Sequence, residues 1–118
     1  MKIRFTKNVA INTKAAANGK TAAFYQSLGL DSKQVTPDFT VLGPAPYSCY
    51  VVSWEPKPDS ESEICLQFET DDIAEVKKRV ETGQGKVVSF RIDENSPGKH
   101  NLWFRDPAGN LINVVEMS

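Results

Sequence analysis

Imidazole and thiol are scarce in this chain: one histidine and two cysteines in 118 residues. Cys49 and Cys65 lie too far apart for a metal knuckle or a CxxC redox motif, so neither chemistry is open to them as a local pair. No excess of positive charge is present either. Lys and Arg total 14 against 15 Asp and Glu, a net charge of -1. That balance argues against a nucleic-acid partner and against an anionic membrane surface. No apolar run approaches the ~20 residues of a membrane-spanning helix. The opening stretch MKIRFTKNVAINTK lacks the apolar core of about 7–15 residues that a signal peptide needs. A cytoplasmic location with both cysteines reduced is the expectation.

What is present is an ordinary globular composition, 40% hydrophobic and 25% charged. That is enough for one core in one domain. The first stretch, IRFTKNVAIN, alternates apolar and polar residues as a strand does. TKAAANGK then reads as a short polar connector, and TAAFYQSLGL as a helix capped by Thr21 and ended by Gly29. DFTVLG, between Pro37 and Pro44, and YSCYVVSW read as strands. EPKPDSES, residues 55–62, has two prolines and a cluster of charges, the pattern of a linker.

After the linker the order recurs. ICLQFET is a strand; Asp71 or Asp72 caps the helix IAEVKKRVETG, whose Ile73, Val76 and Val80 share a face. KVVSFRI is a strand, DENSPGKH (93–100) a polar loop, and NLWFR pairs with LINVVEM across the turn D-P-A-G-N. The halves superpose in pieces. A shift of 57 lays VAINT on LQFET, and a shift of 52 lays Phe24 and Leu28 on Val76 and Val80. A shift of 63 lays VLGPAPYSCYVV on FRDPAGNLINVV. Self-similarity of this kind marks duplicated structural units.

Three segments in order carry a family likeness: FYQSLGL at a helix end, KRVETGQGKVV as helix, turn and strand, and FRDPAGNLINVVE as a closing hairpin. In these the chain resembles the glyoxalase/bleomycin resistance protein/dioxygenase superfamily, also called the vicinal oxygen chelate superfamily. The likeness spans nearly the whole chain. It implies an α+β fold of two βαβββ modules whose mixed sheet curves into a cup. Module one would run over about 1–55 and module two over about 63–118, joined by the linker 55–62. It also implies a small-molecule ligand inside the cup and a homodimer. Activity is not implied by fold, since the scaffold hosts isomerases, dioxygenases, thiol transferases and drug-sequestering proteins.

Metal-dependent members place His, Gln or Glu at four inward positions, supplying nitrogen and oxygen lone pairs suited to Zn, Ni, Fe or Mn. Here the resemblance puts Asn8, Cys65 and Asn113 at three of those positions, and the internal repeat puts Tyr50, the counterpart of Asn113, at the fourth. Asparagine oxygen is a weak ligand, and tyrosine must first lose a proton with a pKa of about 10. His100 falls in the 93–100 loop, and strand alternation turns Glu116 away from Asn113. No metal and no cofactor is therefore expected. A register shift of one residue would reinstate Glu69 or Glu116 and with it a metalloenzyme.

Alternation sorts the remaining strand residues. Val52 and Trp54 go with Tyr50, Gln67 goes with Cys65, Ala10 goes with Asn8, and Leu111 and Val115 go with Asn113. Trp103 and Arg105 are expected to join them. Ile11, Val51, Leu66, Phe68, Phe104, Ile112 and Val114, on the other face, are uniformly apolar, as residues under helices should be. The ligand surface expected is thus Asn8, Tyr50, Val52, Trp54, Cys65, Gln67, Trp103, Arg105 and Asn113. It is aromatic and neutral-polar with one arginine, which suits an aromatic or amphipathic ligand. Three functions stay open: a metal-free binding protein of the bleomycin-resistance type, a metal-dependent lyase, isomerase or dioxygenase, and an interaction module whose cup serves protein association.

Overall fold

The apolar residues sort into two sets, each paired with one helix. The computed structural model describes residues 1–93 and 96–117. It contains eight strands and two helices: β1 (Ile3–Thr13), α1 (Ala15–Ser27), β2 (Asp31–Thr36), β3 (Phe39–Gly43), β4 (Ser48–Val52), β5 (Ser62–Thr70), α2 (Ile73–Thr82), β6 (Lys86–Ile92), β7 (His100–Arg105) and β8 (Leu111–Glu116). The order is βαβββ twice, and the sheet is mixed, with parallel and antiparallel pairs. The fold is α+β. Among the described residues no helix is long and apolar enough to cross a membrane.

The chain divides into two compact units. One is Lys7–Cys65; the other joins Met1–Thr6 to Leu66–Ser118. In the first, the strands run in the order β2-β3-β4-β1, with β4 and β1 parallel. α1 packs Ala22 and Tyr25 onto Leu42, Val51 and Cys49. In the second, the order is β5-β8-β7-β6, with β5 and β8 parallel. There α2 lays Ile73, Val76 and Val80 on Leu102, Ile112, Val114, Phe68, Val87 and Phe104. Each fully buried aliphatic side chain of this kind contributes about 1.5–3 kcal/mol.

The duplication read from sequence recurs in the strand registers. In the first unit Val9, Ala10, Ile11 and Asn12 stand opposite Cys49, Tyr50, Val51 and Val52. Adding 57 to the first set and 63 to the second gives Leu66, Gln67, Phe68 and Glu69 opposite Ile112, Asn113, Val114 and Val115. Those are the observed β5–β8 partners. The helices do not follow the shift of 52. Val76 is buried and Val80 partly so, whereas Phe24 and Leu28 are exposed. α1 instead buries Ala17, Asn18 and Ala22.

α1 also begins earlier than its sequence suggests. The stretch 13–20 is not a connector: the helix starts at Ala15 with Lys14 as its N-cap. Thr21 is an interior residue whose hydroxyl donates to the Ala17 carbonyl at 2.7 Å. Three consecutive alanines, the best helix formers, outweigh Asn18 and Gly19. Asn18 is further held by donating to the Asp38 carbonyl and to Ser53 Oγ. Gly29 ends the helix as expected, at φ 95°. In α2, Asp72 is the cap, accepting from the Glu75 N–H at 3.1 Å. β2 was not legible in the sequence: DSKQVT is exposed at every position and pairs only as an edge strand.

Candidate functional site

In both units the face away from the helix collects the residues expected to meet a ligand. In Lys7–Cys65, alternation places Val9, Ile11, Cys49, Val51 and Leu42 toward α1. It places Asn8, Ala10, Asn12, Tyr50, Val52, Phe39 and Val41 on the opposite face. Tyr50 stands opposite Ala10 on one side and Val41 on the other. Its ring meets Phe39 edge-on at 5.1 Å. Burial raises the Tyr50 hydroxyl above its ordinary pKa, so phenolate is disfavoured. Asn8 pairs with Ser48, two positions along β1 from Ala10. Trp54 follows β4; its backbone N–H donates to Asn12 Oδ1 at 2.8 Å, while Asn12 Nδ2 donates to the Pro56 carbonyl at 2.9 Å. Asn12 thereby fixes the chain where it leaves the sheet, a role its sequence position did not reveal. Cys65 is fully buried.

In the other unit the helix-free face carries a chain of side-chain amides. Asn113, on β8, stands between Gln67 on β5 and Trp103 on β7. Thr6 Oγ donates to Gln67 Oε1 at 2.9 Å, and Gln67 Nε2 donates to Asn113 Oδ1 at 2.9 Å. Asn113 Nδ2 donates to Asn101 Oδ1 at 3.1 Å and to the Leu102 carbonyl at 3.3 Å. Gln67, Asn101 and Asn113 are all buried. A buried amide left unpaired costs about 1–3 kcal/mol, so a bonded row is how this sheet tolerates three of them. The sequence indicated Gln67 and Asn113; it gave no sign of Asn101 or Thr6.

Trp103 is buried on the same face, opposite Asn113 and Ser89. The Arg91 guanidinium lies over its ring at 4.2 Å. Arg105 is turned to its own hairpin, its Nη1 donating to the Gly109 carbonyl at 2.9 Å. His100 and Glu116 belong to the other face. The His100 N–H donates to Glu116 Oε2, its ring stacks on Phe90 at 5.0 Å, and its Nδ1 lies 3.6 Å from that carboxylate. Glu69, on the amide face, pairs with Arg4 at 2.6 Å. Of the 93–100 loop, Glu94 and Asn95 lie outside the described residues.

No family model matches the chain, and no curated protein matches it. Solved structures do. A glyoxalase/bleomycin resistance protein/dioxygenase superfamily member from Vibrio splendidus 12B01 superposes with a TM-score of 0.64 at 17% identity, over 98% of this chain and 100% of that one. The chain has the glyoxalase/bleomycin resistance fold. A Mn(II)-bound glyoxalase from Novosphingobium aromaticivorans matches at a TM-score of 0.65 and 19% identity, over 98% of this chain but 40% of that one. A structure described as an NAD-dependent benzaldehyde dehydrogenase from Legionella pneumophila matches at 0.65 and 14%, over 94% and 98%. Such different descriptions on one backbone carry the fold and leave the chemistry to the side chains.

The glyoxalase/bleomycin resistance fold raises the matter of a metal, and the donor set here does not suit one. The Asn113 oxygen already accepts from Gln67, and the Gln67 oxygen accepts from Thr6. Tyr50 is held as the neutral phenol. Among the described residues no three His, Cys, Asp or Glu side chains are grouped closely enough to share an ion. Borderline metals bind imidazole, thiolate and carboxylate far better than amide oxygen.

Proposed function

We propose that this chain is a metal-free small-molecule binding protein of the bleomycin-resistance type. It holds an aromatic or amphipathic ligand on the helix-free faces of its sheets and works as a homodimer in the cytoplasm. Each unit offers its own ligand-facing residues: Asn8, Tyr50, Val52, Trp54 and Cys65 on the first, and Gln67, Trp103, Arg105 and Asn113 on the second. The observation that carries this reading is the amide row. Asn113, at a position where metal-dependent relatives of the fold are expected to offer a ligand, has both ends of its side chain committed to protein partners. The Gln67 and Asn113 oxygens already accept within the row, amide oxygen is a poor ligand for borderline metals, and the NH₂ at the end of the row suits an acceptor on a polar neutral group or an anion.

Elemental analysis of the purified protein, together with a thermal-shift screen of small aromatic compounds with and without chelator, tests this. The expected result is less than one transition metal ion for every ten chains and no effect of chelator. At a concentration near 100 times its dissociation constant, a true ligand stabilises by ~2.7 kcal/mol. One tightly bound transition metal per chain, lost to chelator together with stability, would leave the metalloenzyme reading in its place.

A further inference from the structure

The amide row has a direction, and the direction fixes what its far end does. Asn113 Nδ2 donates to the Leu102 carbonyl, which only accepts. That bond identifies which end of the Asn113 side chain is nitrogen. Its oxygen must then accept, and it does so from Gln67 Nε2. The Gln67 oxygen accepts from the Thr6 hydroxyl in turn. Downstream, the same Asn113 nitrogen donates to Asn101 Oδ1. Every link therefore runs from hydroxyl or amide nitrogen to amide oxygen, and the row ends on the NH₂ of Asn101. Asn101 is 7% exposed, and its Nδ2 has no acceptor among the described residues. Bonds in such a chain polarise one another, which strengthens the terminal donor.

Opposite Asn101 on the neighbouring strand stands Arg91. Directly paired side chains of adjacent strands share a face and lie within a few ångströms of each other. Arg91 is exposed, yet its guanidinium is held by stacking on Trp103 at 4.2 Å and by Nη1 donating to Ser89 Oγ at 3.1 Å. A guanidinium carries five N–H donors in a fork that matches a carboxylate. Stacking leaves its edge open for such a partner, and no carboxylate among the described residues is paired with it. Arg105, the arginine favoured by sequence, is engaged with its turn.

We propose that Arg91 and Asn101 form an anion subsite that receives the carboxylate of an aromatic acid, with Trp103 backing the guanidinium. This rests on the ligand-binding function proposed above and narrows its ligand to a carboxylate. The probes are benzoate and its neutral isostere benzamide, titrated into the full chain while the side-chain NH₂ signals of Asn101 and Asn113 and the Trp103 indole signal are followed by NMR. Benzoate is expected to shift the Asn101 and Trp103 signals saturably, and benzamide to bind about ten-fold more weakly or worse. Arg91→Gln is expected to weaken benzoate by a similar factor. Asn101→Asp keeps the oxygen that Asn113 needs and replaces the open NH₂ with a second oxygen. It is expected to abolish benzoate binding while the Asn113 NH₂ signals persist, showing an intact row. Benzamide binding as well as benzoate, or benzoate indifferent to Arg91→Gln, would overturn the subsite and leave the wider binding function standing. Failure of both probes and of every aromatic compound in the thermal-shift screen would remove both.

Discussion

Asp106 shows how much one carboxylate can organise. Its side chain accepts from the Asn110 side-chain amide at 2.9 Å and from the backbone N–H groups of Ala108 at 3.0 Å and Asn110 at 2.9 Å. The Asn110 amide first, and the backbone donors after it, hold the Asp106 carboxyl below the ordinary carboxylate value. The sign follows from linkage. A group whose pKa is lower folded than unfolded adds stability above its unfolded value of about 3.9 and loses it as pH falls through the folded value. Asp106→Asn is therefore expected to lower the urea midpoint at neutral pH, and the gap to wild type is expected to close in strong acid. An equal gap at both pH values would mean that geometry, and not charge, makes the turn. This residue was legible in sequence, because D-P-A-G-N states its turn chemistry locally. Asn101 was not, since an asparagine one residue inside a strand looks like any strand-end polar group. Only the register that sets it beside Asn113 and Arg91 gives it meaning.

The helices show the same division at the scale of elements. α2 could be read almost completely: Ile73, Val76 and Val80 at helical spacing are found against the sheet, and of the two candidate caps, Asp71 and Asp72, the structure selects Asp72. α1 could not, because its buried face is made of Ala17, Asn18 and Ala22, which carry little hydrophobic signal. Phe24 in the helix and Leu28 at its C-cap, the residues with the strongest apolar signal, are exposed. Two glycines near this helix, alike in sequence, then behave oppositely. Gly19 lies inside α1, and a Cβ there meets nothing within 4 Å. Gly19→Ala is expected to stabilise by about 0.5–1 kcal/mol through helix propensity and a less flexible unfolded chain. Gly29 also has open space, but its φ of 95° is one that side chains rarely adopt. Gly29→Ala is expected to destabilise by about 1 kcal/mol or more. Urea unfolding of the two variants checks the pair; destabilisation by Gly19→Ala would show that α1 is not helical at its start.

For the whole molecule, the linker at 55–62 suggests two halves contiguous in sequence, and the matching registers of β1–β4 and β5–β8 explain why the duplication could be seen. The compact units are drawn differently: Met1–Thr6 belongs with Leu66–Ser118. The Lys2 carbonyl accepts from both Thr70 Oγ at 2.7 Å and the Asp71 N–H, and the Lys2 N–H donates to Asp71 Oδ1 at 2.7 Å. Phe5 lies against Phe68 at 4.6 Å, and Thr6 begins the amide row. Thr70 is fully buried, so its hydroxyl cannot simply turn to water without local opening. Each hydrogen bond contributes about 1 kcal/mol net. Removal of residues 2–6 is therefore expected to cost roughly 2–4 kcal/mol, summed over three or four such bonds. The loss should also be uneven. In native-state hydrogen exchange, protection is expected to fall in Leu66–Thr70 and the strands paired with it, while the amides of β3 and β4 keep theirs, because cooperative units open separately. Protection falling first in β3 and β4 would mean that the opening residues serve the first half, and that the contiguous boundary read from the linker is the structural one.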